Sequence, residues 1–264
     1  NLLLRETIQD DRFLAPDFSA GADIKPFGTK ENFIKLNFAK NSRIATLNDL
    51  YWSPGGNPDL RNESGYIAEI TLDLSTTVAG SVKIGTDLTF YHNRISDLIQ
   101  WRPGEYSYWQ ADNVDDLVSK GMEANINIMF HGPSYNFKMM SGYTHIISGS
   151  NGKESTGSSG RRLQLIYVPA DMFNTFIRAE WKKFYSTVRF NYTGKRFVDA
   201  DNTIYLSPYT VTDLDAGIKL TLKKTLTDIR MGVENIFNID YQNIAYYPMP
   251  RRNFTASVLF QIKK

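Results

Sequence analysis

Apolar and polar residues alternate along nearly the whole chain, and this period of two restricts the possible folds more than any other feature. In Val82-Lys83-Ile84-Gly85-Thr86-Asp87-Leu88-Thr89-Phe90, one face carries Val82, Ile84, Leu88 and Phe90, and the other carries Lys83, Asp87 and Thr89. Ala68, Ile70, Leu72 and Leu74 oppose Glu69, Thr71 and Asp73 in the same way. Met122 to Phe130 and Leu214 to Leu222 repeat the pattern, with Glu123, Asp213 and Asp215 on the polar side. Successive side chains of a strand point to opposite faces, so each segment has one apolar and one wet face. Strands are predicted at 2–8, 17–26, 32–43, 64–75, 81–98, 116–131, 134–148, 172–182, 184–196, 208–222, 226–237 and 252–263. Several exceed the usual five or six residues of a soluble sheet, and a tilted strand of about 9–11 residues crosses a bilayer's hydrocarbon core.

The connections sort into two kinds that alternate strictly. Those at 28–31, 76–80, 132–133, 182–184 and 223–225 are short; those at 44–63, 99–115, 149–171, 197–207 and 238–251 are long. Tight turns at one end and large loops at the other are the plan of an outer-membrane barrel. A soluble β-sandwich also alternates, but has no reason to sort its loops by end. The expected fold is therefore all-β, an antiparallel up-and-down transmembrane β-barrel.

Composition narrows the function. The net charge of +2 gives no electrostatic reason to expect nucleic acid as a partner. The absence of cysteine excludes disulfides, thiolate metal sites and cysteine nucleophiles. His92, His131 and His145 show no metal-ligand spacing, so no metal and no cofactor is expected. A hydrolase would need a nucleophile paired with histidine at the rim. His145 and Ser148, three apart on a strand, point to opposite faces, and the chain is not read as an enzyme. No run of about 18 apolar residues suggests a membrane helix. The start, Asn1-Leu2-Leu3-Leu4-Arg5, lacks the parts of a signal peptide and opens inside an apolar run, as expected of a fragment.

Two stretches resemble the TonB-dependent outer-membrane receptors. The first is Leu47-Asn48-Asp49-Leu50-Tyr51-Trp52 followed by Gly56-Asn57-Pro58-Asp59-Leu60-Arg61-Asn62-Glu63, similar to the family's mid-barrel box. The second is Gly232-Val233-Glu234-Asn235-Ile236-Phe237-Asn238, then Asp240-Tyr241 and Tyr247-Pro248-Met249-Pro250-Arg251-Arg252-Asn253-Phe254, similar to its C-terminal signature. In both, Gly, Asn and Pro supply turn chemistry, Gly and Asn tolerating positive φ. The resemblance implies a 22-stranded barrel around an N-terminal plug, with residues 1–264 as the C-terminal portion of the barrel and the plug absent. It implies uptake of cobalamin or an iron siderophore across the bacterial outer membrane, energised by TonB through that plug. The alternative is a small passive outer-membrane channel or adhesin barrel, complete with twelve strands.

In such a receptor the ligand meets the extracellular loops and upper lumen wall. The aromatic-rich loop residues Tyr51, Trp52, Tyr106, Tyr108, Trp109, Tyr246 and Tyr247 are the candidate ligand contacts, because aromatic rings offer large rigid surfaces with polar handles. Tyr and Trp also form the girdle at headgroup depth, the competing reading for Trp101 and Trp109. Arg161, Arg162, Arg251 and Arg252 are candidates for anionic ligands or for lipopolysaccharide phosphates. Residues 149–160, rich in Gly and Ser, read as a flexible loop.

Overall fold

The computed structural model describes residues 1–9, 12–26, 31–104, 108–114, 116–150, 163–222, 225–262. Twelve antiparallel strands form one sheet in which every strand pairs with its neighbours in sequence order. They are β1 (Leu2–Arg5), β2 (Asp17–Ile24), β3 (Phe33–Arg43), β4 (Glu63–Val78), β5 (Val82–Ser96) and β6 (Leu117–His131). They continue with β7 (Tyr135–Ser150), β8 (Asp171–Trp181), β9 (Phe184–Thr193), β10 (Tyr209–Leu222), β11 (Thr225–Glu234) and β12 (Asn253–Ile262). All twelve expected strands are present. Three stop three residues short of their expected ends: β1 at Arg5, β9 at Thr193 before Gly194, and β11 at Glu234, where Asn235 turns left-handed with φ 50; β2 and β5 stop two short, at Ile24 and Ser96.

The register runs without a slip through all eleven pairings, so each residue's face follows from its parity alone. One row of cross-strand partners reads Leu72, Leu88 and Ala124; another reads Met139, Ile177, Val188, Leu214, Val233 and Phe254. The side chains beside these rows make one face apolar from β1 to β12. Phe260, flanked by Val258 and Ile262, lies on that face as its alternation requires.

The opposite face is a ladder of charges and hydrogen bonds. Lys35 meets Asp73 at 2.5 Å, and Asn37 donates to Glu69 at 3.1 Å. Asn125 donates to Asp87 at 2.7 Å, and Tyr185 to Asp228 at 2.6 Å. Asp215, only 3% exposed, accepts from Arg189 at 2.5 Å and from Arg230 at 2.8 Å. A carboxylate so covered is stable only when its lone pairs are filled, and two guanidinium groups fill them. Such a face cannot meet hydrocarbon; the apolar one can, which makes the charged face the lumen wall.

Loops sort by end as expected. Ala79–Ser81, Gly132–Ser134 and Lys182–Lys183 close the short end, with Ala79, Gly80 and Lys182 at φ 50, 71 and 53. Aromatic pairs mark that end on the apolar face: Phe130 stacks on Tyr135 at 4.9 Å between centroids, and Trp181 on Phe184 at 6.3 Å. From Val82 to Phe90 the outward row of β5 spans about 26 Å at 3.3 Å per residue, the order of an outer-membrane apolar band.

An arginine placed in the middle of that band should be costly, whereas one on the lumen face should not. Leu88→Arg is expected to destabilise the folded barrel by about 2–4 kcal/mol. Asn127→Arg, on the other face, should leave it nearly unchanged. Urea titration of the heat-modifiable, fast-migrating form on gels distinguishes the two.

Candidate functional site at the long-loop rim

The long loops fold into structures of their own. Residues 44–62 contain a helix, α1 (Leu47–Tyr51), and residues 97–116 a hairpin that pairs Leu98–Pro103 with Trp109–Val114. Smaller hairpins pair Arg196–Phe197 with Tyr205–Leu206 and Gln242–Ile244 with Tyr247–Pro248. The helix is too short to leave a periodic signal in the sequence; a capping box starts it instead. Thr46 accepts from the Asp49 N–H at 3.2 Å, and the Asp49 carboxylate accepts from the Thr46 N–H at 3.0 Å.

Asp49 ties two loops together. It is 5% exposed, and its other oxygen accepts from the Trp101 indole at 2.9 Å. Arg43 lies 3.3 Å away. Burial pushes the carboxyl upward, but the Thr46 and Trp101 donors and the Arg43 charge outweigh it and hold its pKa below the ordinary value. Beside this node Gly55 has φ +112, and an added Cβ would stand 2.0 Å from the Trp109 carbonyl oxygen. The Gly55 carbonyl in turn accepts from Ala111 N–H at 2.8 Å. Glycine is needed here for both conformation and close approach. The left-handed position thus falls at Gly55, one residue before the Gly56-Asn57-Pro58 box; neither Gly56 nor Asn57 has positive φ. Gly56 is needed for space, since its Cβ would lie 2.5 Å from the Trp52 nitrogen.

A second node is Arg196, 3% exposed. Its guanidinium donates to the carbonyls of Gly194 at 3.0 Å, Ser207 at 3.3 Å and Gln242 at 3.0 Å, and lies over the Tyr209 ring. Burial lowers its pKa. Asn235 is the third node: buried and left-handed, it accepts from Ile239 N–H at 2.8 Å and donates to the Ile239 carbonyl at 2.8 Å. Asn238, also left-handed, accepts from the Arg252 N–H at 3.1 Å. The two asparagines of the C-terminal signature therefore make its turns.

Hydrogen bonds also run sideways from loop to loop. Asn62 bonds Gln9, and the Arg61 N–H donates to Asn113 at 2.8 Å. Trp109 lies 6.1 Å from Tyr167 between ring centroids, and the Tyr167 N–H donates to the Phe197 carbonyl at 2.7 Å. Arg196 reaches Gln242, and Tyr209 donates to Asn243 at 2.7 Å. The long-loop rim is one connected surface.

The candidate contacts fall into two groups on this rim. Tyr51 and Trp52 are 67% and 57% exposed at the end of α1, beside the hairpin that carries Tyr108 and Trp109. Tyr246 and Tyr247 are 93% and 67% exposed at the tip of the last hairpin, where Tyr246 holds φ 69 with its N–H bonded to Gln242 at 2.9 Å. The loops between β7 and β8 and between β9 and β10 separate the groups, and no bond or ring contact among the described residues joins them. Trp101 is a half-buried packing residue, whereas Trp109 is 38% exposed. Tyr106, Arg161, Arg162 and most of residues 149–160 lie outside the described residues. Arg251 pairs with Asp240 at 2.5 Å. His145 contacts Asp171 at 2.8 Å, not Ser148, which is buried. No group of His, Asp or Glu among the described residues is placed to hold a metal ion. Sequence reading missed Arg196 and Asp49 as organisers, since the groups that let each join two loops, the Gln242 carbonyl and the Trp101 indole, lie 46 and 52 residues away in the chain.

Comparison with known proteins gives a consistent picture. Residues 16–236 match the family described as TonB dependent receptor-like, beta-barrel. The chain is 25% identical over 244 residues to vitamin B12 transporter BtuB of Photobacterium profundum, covering 88% of this chain and 36% of that protein. It is 26% identical over 220 residues to the iron-regulated outer membrane virulence protein of Vibrio cholerae, covering 75% of this chain and 31% of that protein. The chain thus spans about a third of the length of these curated relatives. Among solved structures, copper transporter OprC superposes with a TM-score of 0.68 at 14% identity, covering 92% of this chain and 39% of that one.

Removing the indole donor from Asp49 by Trp101→Phe should cost roughly 1.5–3 kcal/mol of local loop stability, the scale of a hydrogen bond to a charged group. Because the folded pKa of Asp49 is depressed, its contribution is present above its ordinary value of 3.8 and lost as pH falls through the lower folded value. Hydrogen exchange of residues 46–56 and 98–114 should report both effects, and Asp49→Asn should remove most of the acid sensitivity.

Proposed function

Because this chain belongs to the TonB-dependent receptor β-barrel family, whose members reside in the outer membrane, we propose that it forms the C-terminal wall of a 22-stranded receptor barrel. Its long loops face outward and supply part of the site for a scarce nutrient. A plug outside residues 1–264 completes that site and couples it to TonB. Cobalamin is the first candidate ligand and a ferric siderophore the second. Lipid and lipopolysaccharide surround the apolar face.

The observation that carries this reading is the knitted rim. A passive pore needs its loops only to stay clear of the opening, whereas buried nodes such as Asp49 and Arg196 fix exposed aromatics in place. Rigid, preordered aromatic surface lowers the entropic cost of capture and suits a bulky macrocycle. The open sheet supports the same reading. Among the described residues β1 and β12 have no pairing with one another, whereas a closed twelve-stranded channel would pair them.

The test is ligand binding by the whole receptor that contains this chain. Trp52→Ala and Tyr246→Ala are each expected to weaken binding of cyanocobalamin by about 5–30-fold, the loss of roughly 1–2 kcal/mol of aromatic contact. Equal weakening of a ferric catecholate, with no cobalamin binding, would move the assignment to the second ligand. Binding of neither, with steady ion conductance in planar bilayers lacking any energy source, would replace the receptor reading by the channel.

A further inference from the structure

The apolar face carries few charges, and their placement is not random. Among the described residues of its strands the ionisable Lys, Arg, His and Asp side chains are Lys40, His92, Arg94, Lys120, His145 and Asp171, every one toward the long-loop end. Most have a partner on the molecule. Lys40 donates to the Pro16 carbonyl at 3.1 Å, Arg94 is ion-paired to Asp116, and His145 contacts Asp171, which also accepts from Tyr143 at 2.6 Å.

His92 and Lys120 are different. They stand directly opposite one another on β5 and β6, both exposed, and Arg94 is the next residue of β5 on the same face. No hydrogen bond or ion pair holds either among the described residues. Their cross-strand neighbours are Ala68 beside His92 and Ile147 beside Lys120, so no carboxylate answers them from β4 or β7. Directly below lie Phe90 and Met122, the top of the apolar band.

A bare ammonium at the margin of a low-dielectric band is poorly solvated on one side. An anion placed beside Lys120 removes that penalty, and an imidazole N–H of His92 opposite can donate to the same anion. The neighbouring rows indicate its kind. A free phosphate needs the charges alone, but here the charges sit immediately above Phe90 and Met122 and beside Ile147, which offer an apolar surface to acyl chains. We propose that His92, Lys120 and Arg94 form a headgroup site for a phosphorylated lipid of the outer leaflet. The phosphate lies between Lys120 and His92, Arg94 adds a second contact beside Asp116, and the acyl chains run down the outward rows of β5 and β6.

The proposal rests on the orientation given above, with the long loops outward, and that orientation is read separately. In intact cells, Tyr246→Cys in the whole receptor should react with a membrane-impermeant maleimide; failure to react overturns the orientation and the site with it. The site itself is tested by native mass spectrometry of the receptor in detergent, titrated with bisphosphorylated lipid A, its dephosphorylated counterpart and inorganic phosphate. The receptor should retain the phosphorylated lipid in preference to the dephosphorylated one. The double variant His92→Ser with Lys120→Ser should lower that retention about tenfold, on the scale of one charge-assisted contact. Lys40→Ser should not change it, and both variants should keep heat-modifiable migration. Equal retention by the double variant, or equal retention of the two lipids, overturns the site. Displacement of the lipid by inorganic phosphate at matching concentration overturns its assignment to lipid.

Discussion

The structure depends on register parity. Eleven strand pairings run without a bulge, so the side of the wall on which a residue lies is set by whether its number is odd or even within the strand. A one-residue slip anywhere would exchange the faces and carry Asp87, Glu123, Asp213 and Asp215 into hydrocarbon. The penalty for that exchange is large enough to fix the register without special devices. It also explains the lumen chemistry. The carboxylates gathered on one face stay soluble in the wall because arginines, lysines and amides from the next strand reach them, as Arg189 and Arg230 reach Asp215.

Beyond the membrane the constraint changes. These loops bury little apolar surface, Ala45, Ile99 and Ala111 within it, and among the described residues no large side chain is completely buried. Order comes from a few polar groups that are buried and hydrogen-bonded to more than one segment. Asp49 joins a capped helix to a neighbouring hairpin, Arg196 gathers carbonyls from two loops, and Asn235 closes a turn with both ends of its amide. Asp199, only half-buried, adds a more exposed example: burial pushes its carboxyl up, while Thr203 and the Ile204 N–H pull it lower. Each such group is costly to leave unmatched, so each fixes the segments around it. This gives the rim definite shape and leaves its aromatics free for contact.

Motif and mechanism coincide unevenly. In Asn235-Ile236-Phe237-Asn238 both asparagines adopt the left-handed turns that their type favours, so the local chemistry was readable from the residues. In Gly56-Asn57-Pro58 it was not: the residue with positive φ is Gly55, and the reason is the carbonyl of Trp109, more than fifty positions away. Trp101 and Trp109 are similar cases. As letters they resemble ligand contacts or girdle residues; in the structure Trp101 donates a hydrogen bond to Asp49 and lies beside Gly55, and the Trp109 ring lies toward Tyr167. Tyr51, Trp52, Tyr246 and Tyr247 remain exposed, in two groups on different loops.

By itself the sequence determined the class of fold, the twelve wall strands to within a few residues, the two faces and the sorting of loops. These follow from period-two patterning and from turn residues, both local properties that a strand expresses wherever it lies. Tertiary structure alone decided which loops touch, which of the aromatics pack and which are exposed, and that His145 meets Asp171 while His92 and Lys120 meet no acid among the described residues. Those outcomes depend on cross-strand neighbours and on loop-to-loop contacts at long sequence separation, where the partner is set by the register of the sheet and the packing of the loops and not by any pattern along the chain.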